Sequence, residues 1–379
     1  MRSERILGGL DMSFSEWREV KLEDIIEIEM GQSPKSEFYN QTGEGLPFLQ
    51  GNRTFGDKYP YFDTYCTENK KIANKNDVIM SVRAPVGDLN IAQTQISLGR
   101  GVCAMRLKGE QNSNYLFYLM KHNIKEMINR ESGTVFGSVN KKDILGLDVK
   151  ITNNKLEQKA IAHILSTLDD KIEVNNQINK TLENMAHAYF DDMFPNVAAG
   201  DTTIGEYITP KRGKNLLSKD AISGEVPVIA GGLSPATYHN VSNTQSPVIT
   251  ISASGANAGF VNLWTVPVWS SDSSFIDYGM TKDVYFWYVM LKKRQKEIYD
   301  SQTGSAQPHI YPKHITIMPT IKLNVDEINL YTKRVTPLFK KIANNLYEIS
   351  KLQLIRDTLL PKLMSGKIRV PLDSEGDVS

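Results

Sequence analysis

The sequence contains two copies of one pattern, so any fold it adopts has to build the same unit twice. Gly43-Glu44-Gly45-Leu46-Pro47-Phe48-Leu49-Gln50-Gly51 in the first half is echoed by Ser223-Gly224-Glu225-Val226-Pro227-Val228-Ile229-Ala230-Gly231 in the second. Val78-Ile79-Met80-Ser81 leading to Gly87 is matched by Val248-Ile249-Thr250-Ile251 leading to Gly259. The match sharpens at Gly133 to Ile144, GTVFGSVNKKDI, which lies over Gly304 to Ile315, GSAQPHIYPKHI, at an offset of 171 residues. Both segments follow an aromatic-rich basic stretch that reads as helix, Tyr115 to Arg130 and Tyr285 to Tyr299.

Each copy then ends in a long heptad pattern. Ile161, Leu165, Leu168, Ile172, Asn175, Asn179, Leu182, Ala186 and Tyr189 alternate steps of four and three, the spacing of an apolar helix seam. An offset of 170 gives Tyr331, Val335, Leu338, Ile342, Asn345, Ile349, Leu352, Arg356 and Leu359. No Pro or Gly interrupts Leu156 to Phe194, and Pro337 is the one break between Val325 and Leu360, tolerable in a first turn or as a local kink. The two helices are expected to pair antiparallel through Ile161, Leu165, Leu168, Ile172, Asn175 and Leu182 on one and Val335, Leu338, Ile342, Asn345, Ile349 and Leu352 on the other. Asn175 and Asn345 occupy equivalent seam positions, where a polar side chain fixes register at some cost in stability, and they are expected to face each other. Ile164, Ile178, Met185, Leu346 and Leu354 flank the seam and either pack on a neighbouring globule or face a partner.

Between the helices, short β-branched and aromatic runs bounded by Gly, Pro, Asn and Asp imply α+β globules. The fold class is α+β, with two similar globules separated by two long antiparallel coiled-coil helices in a pseudo-two-fold internal repeat. The boundaries are an N-terminal extension over 1–14, a first globule over 15–153, a first long helix over 154–195, a second globule over 196–323, and a second long helix with a C-terminal tail over 324–379. Residues before Met12 read as an extension or a tag remnant. At 379 residues, with 40% apolar and 23% charged residues, the chain matches ordinary soluble globular usage. There is no apolar run of membrane-spanning length and no signal-peptide pattern, so a cytoplasmic location without membrane contact is expected. Cys66 and Cys103 stand far apart with no metal-ligand spacing.

Leu359 to Val370, LLPKLMSGKIRV, closely resembles the C-terminal signature of specificity (S) subunits of type I restriction-modification enzymes. Leu156 to Glu183 resembles the central helical region of that family, and Gly133 to Leu147 the end of its target recognition domains. The resemblance covers residues 17 to 370 in the family's repeat order. It implies that the globules are target recognition domains 1 and 2, and that the chain reads double-stranded DNA at two short half-sites separated by an uncontacted gap. It also implies two methyltransferase (M) subunits docked on the helices and restriction (R) subunits completing the enzyme. S-adenosylmethionine, ATP and Mg belong on those partners, with no cofactor bound by this chain. A helix of about 34 residues is roughly 50 Å long, against about 34 to 36 Å for a DNA turn, so the helices suit a ruler holding two readers about one turn apart.

DNA sequence is read by side chains at base edges, while Lys, Arg and backbone amides position phosphates. In the first domain Arg53, Lys58, Arg83, Arg100, Lys141 and Lys142 sit beside Gly, Pro or Asn turns. In the second, Lys211, Arg212 and Lys214 surround Gly213, and the small-residue stretch Ser252 to Gly259 includes Ser254 and Asn257. Gln307, His309, Tyr311 and Lys313 add four kinds of polar group within seven residues. Asn257 and Gln307 have the chemistry for adenine, and Arg83 for guanine. For each residue alone, a solvated surface charge is the plainer reading. The net charge of +1 leaves DNA contact to local patches and suggests weak binding by the isolated chain. The tail from Leu359 to Val370 is expected to tuck against the first domain rather than offer itself to a methyltransferase.

Catalytic motifs are missing. Gly213-Lys214 and Gly366-Lys367 lack the other glycine and the Ser or Thr of a phosphate loop, and the sequence contains no Pro-Pro, which the Asp- or Asn-Pro-Pro-aromatic motif of amino-methyltransferases requires. Asp148 with Glu157-x-Lys159 superficially resembles a metal-nuclease triad, but Glu157 opens a helix, where acidic residues are ordinary. The chain is therefore expected to be a non-catalytic subunit of a site-specific deoxyribonuclease and adenine methyltransferase complex. Two rival readings are a self-contained DNA-modifying enzyme and a coiled-coil adaptor whose globules bind proteins.

Overall fold

The computed structural model describes residues 17–109, 112–129, 137–304 and 307–370. The expected extension over 1–14, residues 133–136 of the first repeat motif, 305–306 of the second and 371–379 of the tail lie outside the described residues. Eight α-helices occur among the described residues. They are α1 (Leu22–Ile25), α2 (Ser113–Asn129), α3 (Lys141–Leu145), α4 (Lys155–Met193), α5 (Val284–Lys293), α6 (Gln295–Asp300), α7 (Pro312–Thr316) and α8 (Val325–Met364). None is long and apolar enough to cross a membrane.

The chain divides into two compact units, and the divisions fall inside the long helices rather than at their ends. One unit comprises the chain up to Val174 and from Glu348 onward, and the other Asn175–Tyr347. The first is built on an antiparallel sheet in the order Ile26–Met30, Val102–Leu107, Val78–Ser81, Leu89–Ile91. All four residues of Val78–Ser81 are buried, because alternate side chains enter two different cores. Val78 and Met80 face α2 with Cys103 and Met105, while Ile79 joins Val102 and Ala104 against Leu49, Ile96 and Leu98 of a second sheet. Such a strand cannot show a polar alternation, since neither face is wet.

The second unit repeats the plan. Its sheet runs in the order Lys211–Arg212, Ser273–Asp277, Val248–Ser252, Val261–Trp264. Ile249 and Ile251 pack with α5, while Val248 meets Ile229 and Phe275 on the opposite face. The aromatic-rich stretch that is one helix in the first unit is two here, α5 and α6, meeting at Arg294. A short two-stranded pairing closes each unit, Trp17–Lys21 with Asp148–Thr152 and Thr202–Thr203 with Pro319–Thr320.

Helices α4 and α8 are 39 and 40 residues long, about 58 to 60 Å at 1.5 Å per residue. They pair antiparallel within each unit. In the first, Asp169 meets Arg356 at 2.6 Å and Lys171 meets Glu348 at 3.6 Å. In the second, the Tyr331 hydroxyl donates to the Ala186 carbonyl at 3.0 Å, and Asn345 Nδ2 donates to Asn179 Oδ1 at 2.8 Å. The expected seam residues are all buried or half-buried. Asn175 and Asn345 are buried too, but the bond from Asn345 reaches Asn179, one turn beyond the expected Asn175. Asn345 Oδ1 and Asn179 Nδ2 are left without a partner, which suits a device for register more than for stability. Helix α8 continues through Pro337, whose ring lies on the exposed side.

The helices are more than a spacer. Ile161, Ala162 and Leu165 of α4 and Leu360, Leu363 and Met364 of α8 belong to the first core. Ala186 and Phe190 of α4 and Tyr331, Val335 and Phe339 of α8 belong to the second. Beyond α8 the tail stays on the first unit. Gly366, at φ +73°, lets the backbone turn where a Cβ would lie 2.8 Å from the Trp17 indole nitrogen, and Val370 packs on the first core. Arg369 grips Glu157 with two bonds, Nε to Oε1 at 2.6 Å and Nη2 to Oε2 at 3.1 Å, while the Thr152 hydroxyl donates to Oε2 at 2.7 Å. Glu157, the carboxylate of the superficial nuclease triad, is thus a buried anchor for the tail.

The Glu157 side chain is 2% exposed and that of Arg369 30%, so removing the arginine strands a buried carboxylate. Arg369→Ala is expected to destabilise the full chain by about 3 kcal/mol, whereas the paired replacement Glu157→Gln with Arg369→Met costs well under half of that. Urea unfolding midpoints of the two variants check the difference.

Candidate nucleic-acid interface

In both units most of the candidate residues collect where two loops cross at the end of the main sheet. In the first, the Ala84 amide donates to the Gly137 carbonyl at 3.2 Å and the Val139 amide to Val82 at 2.9 Å, setting Arg83 opposite Ser138. In the second, the Gly255 amide donates to Pro308 at 3.1 Å and the Ile310 amide to Ala253 at 3.0 Å, setting Ser254 opposite His309. A helical turn leaves each crossing by the same device. The Asn140 amide donates to Asp143 at 2.8 Å ahead of α3, and the Tyr311 amide to His314 Nδ1 at 3.1 Å ahead of α7. The backbone frame is common to both units and the side chains it presents are different.

A second pair of loops joins each crossing. The Val82 amide donates to Gly101, and the Ala253 amide to Asp272, at 2.9 and 3.1 Å. Gly31 passes so close to the Gly99-Arg100-Gly101 turn that a Cβ would lie 2.1 Å from the Gly99 carbonyl, and at Gly213 a Cβ would meet the Ser270 and Ser271 carbonyls at 2.5 Å. These glycines hold Arg100 beside Arg83 in one unit, and Lys211 to Lys214 beside Ser254 in the other.

The structure sorts the candidates. Arg83, Arg100, Lys142, Lys211, Lys214 and Lys313 are exposed, and none makes an ion pair among the described residues. Lys141 is exposed but directs its ammonium to the Ile28 carbonyl at 3.4 Å. Arg53 lies on the next loop with its guanidinium paired to both oxygens of Asp63 at 2.7 and 2.8 Å, which raises the arginine pKa and lowers that of the carboxyl. Arg212 is tied to Asp272 at 2.5 Å, and the Ser254 hydroxyl donates to the other oxygen of that carboxylate. Asn257 is half-buried in the turn after Ser254, its carbonyl accepting from the Phe260 amide at 2.9 Å. Gln307 and Tyr311 are exposed, with the His309 ring stacked on Tyr311 at 5.9 Å. His314 Nδ1 is committed to its capping bond, and among the described residues no group of three His, Cys, Asp or Glu is arranged to hold a metal.

Lys58 is a correction. Its side chain is 3% exposed and its ammonium bonds Asp170 of α4 at 2.8 Å, so it joins the globule to a helix and cannot reach a phosphate. Beside it the Tyr118 hydroxyl donates to Asp169 Oδ2 at 2.5 Å, while Arg356 holds the other oxygen. Burial and the nearby carboxylate push the Tyr118 phenol far above its ordinary pKa. At the corresponding place in the second unit, Tyr288 donates to Glu183 at 2.5 Å and Phe339 stands where Asp169 does, stacked on Tyr285 at 4.5 Å. A tyrosine fastens each globule to its helices, with a charged neighbour in one case and an aromatic one in the other.

Sequence reasoning missed several groups on these edges. Ser33 donates to Gln50 Oε1 at 2.9 Å and accepts the Arg100 amide at 3.0 Å. Asn52 donates to Asp88 at 2.5 Å. Asp272 was hidden in the run Ser270-Ser271-Asp272-Ser273-Ser274, which carries no motif; the paired glycines around Arg100 were the available signal.

Comparison with known proteins follows the same lines. The model of the Type I restriction modification DNA specificity domain matches residues 14–184. A Methanocaldococcus jannaschii protein named as a candidate specificity subunit of the MjaX type I restriction enzyme is 37% identical over 171 residues, 44% of this chain and 40% of that relative. The specificity subunit of the MjaIX type I restriction enzyme from the same organism is 24% identical over 423 residues, covering 94% of each chain. The crystal structure of a type I restriction-modification system S subunit from M. genitalium shares the fold, with a TM-score of 0.61, 22% identity and coverage of 94% of this chain and 98% of that one. This chain therefore spans less than half of the first relative and nearly all of the other two.

Lys58→Met is expected to leave duplex binding and its salt dependence unchanged. Lys142→Ala should weaken binding to every duplex alike and reduce the slope of log K against log salt by about 1. Titrations of both variants at several salt concentrations measure the contrast.

Proposed function

We propose that this chain, which belongs to the family of type I restriction-modification DNA specificity subunits, reads a bipartite double-stranded DNA target through the loop crossings of its two globules. One observation carries the reading. The crossings share their backbone bonds at an offset of 171 residues, yet present Arg83 and Ser138 in one unit and Ser254 and His309 in the other. A constant frame with changed side chains is what two readers of different sequences require, since hydrogen-bonding side chains distinguish base edges and a frame alone does not. The two half-sites are accordingly different. Lys142, Lys211, Lys214 and Lys313 position the backbone around them, and Gln307 and Asn257 are the adenine candidates.

The family is non-catalytic, and the residues that looked least inert are structural: Glu157 anchors the tail and His314 caps a helix. Methyl transfer, cleavage and ATP hydrolysis then belong to partners that carry S-adenosylmethionine, Mg and ATP, in the cytoplasm. Two methyltransferase subunits dock on the long helices, and restriction subunits join them. Ile164 packs on the first core, but Ile178, Met185, Leu346 and Leu354 are 37%, 40%, 43% and 63% exposed and leave apolar surface for docking. The charge of +1 makes the partners a main source of phosphate contact.

Selection from a randomised duplex library by the chain with its methyltransferase partner is expected to yield two short clusters of fixed bases around an unread gap. Removing equal numbers of whole turns from α4 and α8 should shorten that gap while leaving both clusters intact. Recovery of a single continuous motif, or of none, sinks the proposal. Methylation by the chain alone would favour the self-contained enzyme, and absence of sequence-selective, salt-dependent binding the protein adaptor.

A further inference from the structure

Resting on that reading, we infer that Arg212 reads a guanine in the second half-site, and that Asp272 and Ser254 are the positioning residues that aim it. Three basic residues leave this edge within four positions, and they are not equivalent. Lys211 and Lys214 are exposed and make no ion pair, as suits cations that follow a phosphate chain. Arg212 is also exposed, but its Nη2 is bonded to Asp272 Oδ1 at 2.5 Å. The opposite oxygen of Asp272 accepts the Ser254 hydroxyl, and its backbone carbonyl accepts the Ala253 amide at 3.1 Å, so the carboxylate is held from two sides.

A carboxylate on a surface that meets a polyanion is repelled unless a cation neutralises it. Here the cation is the arginine itself, and the pair leaves only part of its donors engaged. A guanidinium has five N–H groups in a planar fork. With one directed at Asp272, the remaining edge is free for the paired acceptors of guanine, O6 and N7. The carboxylate also removes rotational freedom from a long side chain before DNA arrives, which favours a base contact of fixed geometry over a diffuse phosphate contact. Gly213 fixes the backbone of the reader, since any Cβ there would lie 2.5 Å from the Ser270 and Ser271 carbonyls. The corresponding crossing of the first unit has no such pair: Arg83 occupies the place of Ser254, and Gly101 that of Asp272.

The test uses the full chain with its methyltransferase partner and a randomised duplex library, sequencing what is bound. The unaltered chain should return guanine at a fixed position of one half-site. Arg212→Ala is expected to lower the preference at that position about 10- to 100-fold while every other selected base survives. Asp272→Asn should relax the same position by a smaller factor without shifting the thermal midpoint by more than about 2 °C, and should have no further effect once Arg212 is Ala. Equal weakening on all sequences by Arg212→Ala would make it a phosphate contact, and relaxation at a different base by Asp272→Asn would break the link between the two; either result overturns the inference. Failure of the unaltered chain to select any motif would instead overturn the functional reading beneath it.

Discussion

Everything in this molecule depends on one apolar stripe that is used on two sides. The residues of α4 and α8 that face each other also wall the cores of the globules: Ile161 and Leu165 pack with Tyr115, Leu116 and Leu119, and Val335 and Phe339 pack with Phe286 and Val289. A surface helix of a globular protein needs an apolar face of about 100°, wider than the seam of a two-stranded coil. Sharing it ties each globule to the particular half of each helix that it covers. The units divide within the helices, after Val174 and after Tyr347.

That double use explains what could be read in the sequence and what could not. The repeat, the two long helices, and the twelve seam positions are legible because a helical period survives whatever covers it. The same spacing also serves a second contact, the packing of each helix pair on α2 or α5 of its globule. Asn345 shows a finer limit. Its burial follows from the heptad, but which asparagine it meets depends on the axial stagger of two helices, and no spacing in one chain encodes that.

The candidate interface divides on similar grounds. Glycine-bounded basic residues mark loops, so the exposure of Arg83, Arg100, Lys142, Lys211 and Lys214 was within reach of the sequence. Lys58 was not distinguishable from them. It has the same neighbours in sequence, and only the approach of Asp170, more than a hundred residues away, turns it from a solvated cation into a buried fastener. Asp272 fails in the opposite direction. An acidic residue is a poor candidate for DNA contact on sequence grounds, and only the Arg212 ion pair draws notice to it.

Fastening and the loop crossings are kept apart in this architecture, so one frame can carry different side chains in its two copies. Tyr118 and Tyr288 attach the globules through bonds to Asp169 and Glu183, in positions that the crossing loops do not share. The crossings share a set of backbone bonds, to which the capping side chains of Asn140, Asp143 and His314 and, in the second unit, the Ser254 bond to Asp272 are added. Backbone bonds are indifferent to side-chain identity, so the side chains at 83 and 138 can differ from those at 254 and 309 while the shared bonds persist. The glycines are not free in that sense. Gly31 and Gly213 are required by carbonyls that would lie 2.1 and 2.5 Å from any Cβ, so the frame constrains the sequence most strongly at positions that carry no side chain at all.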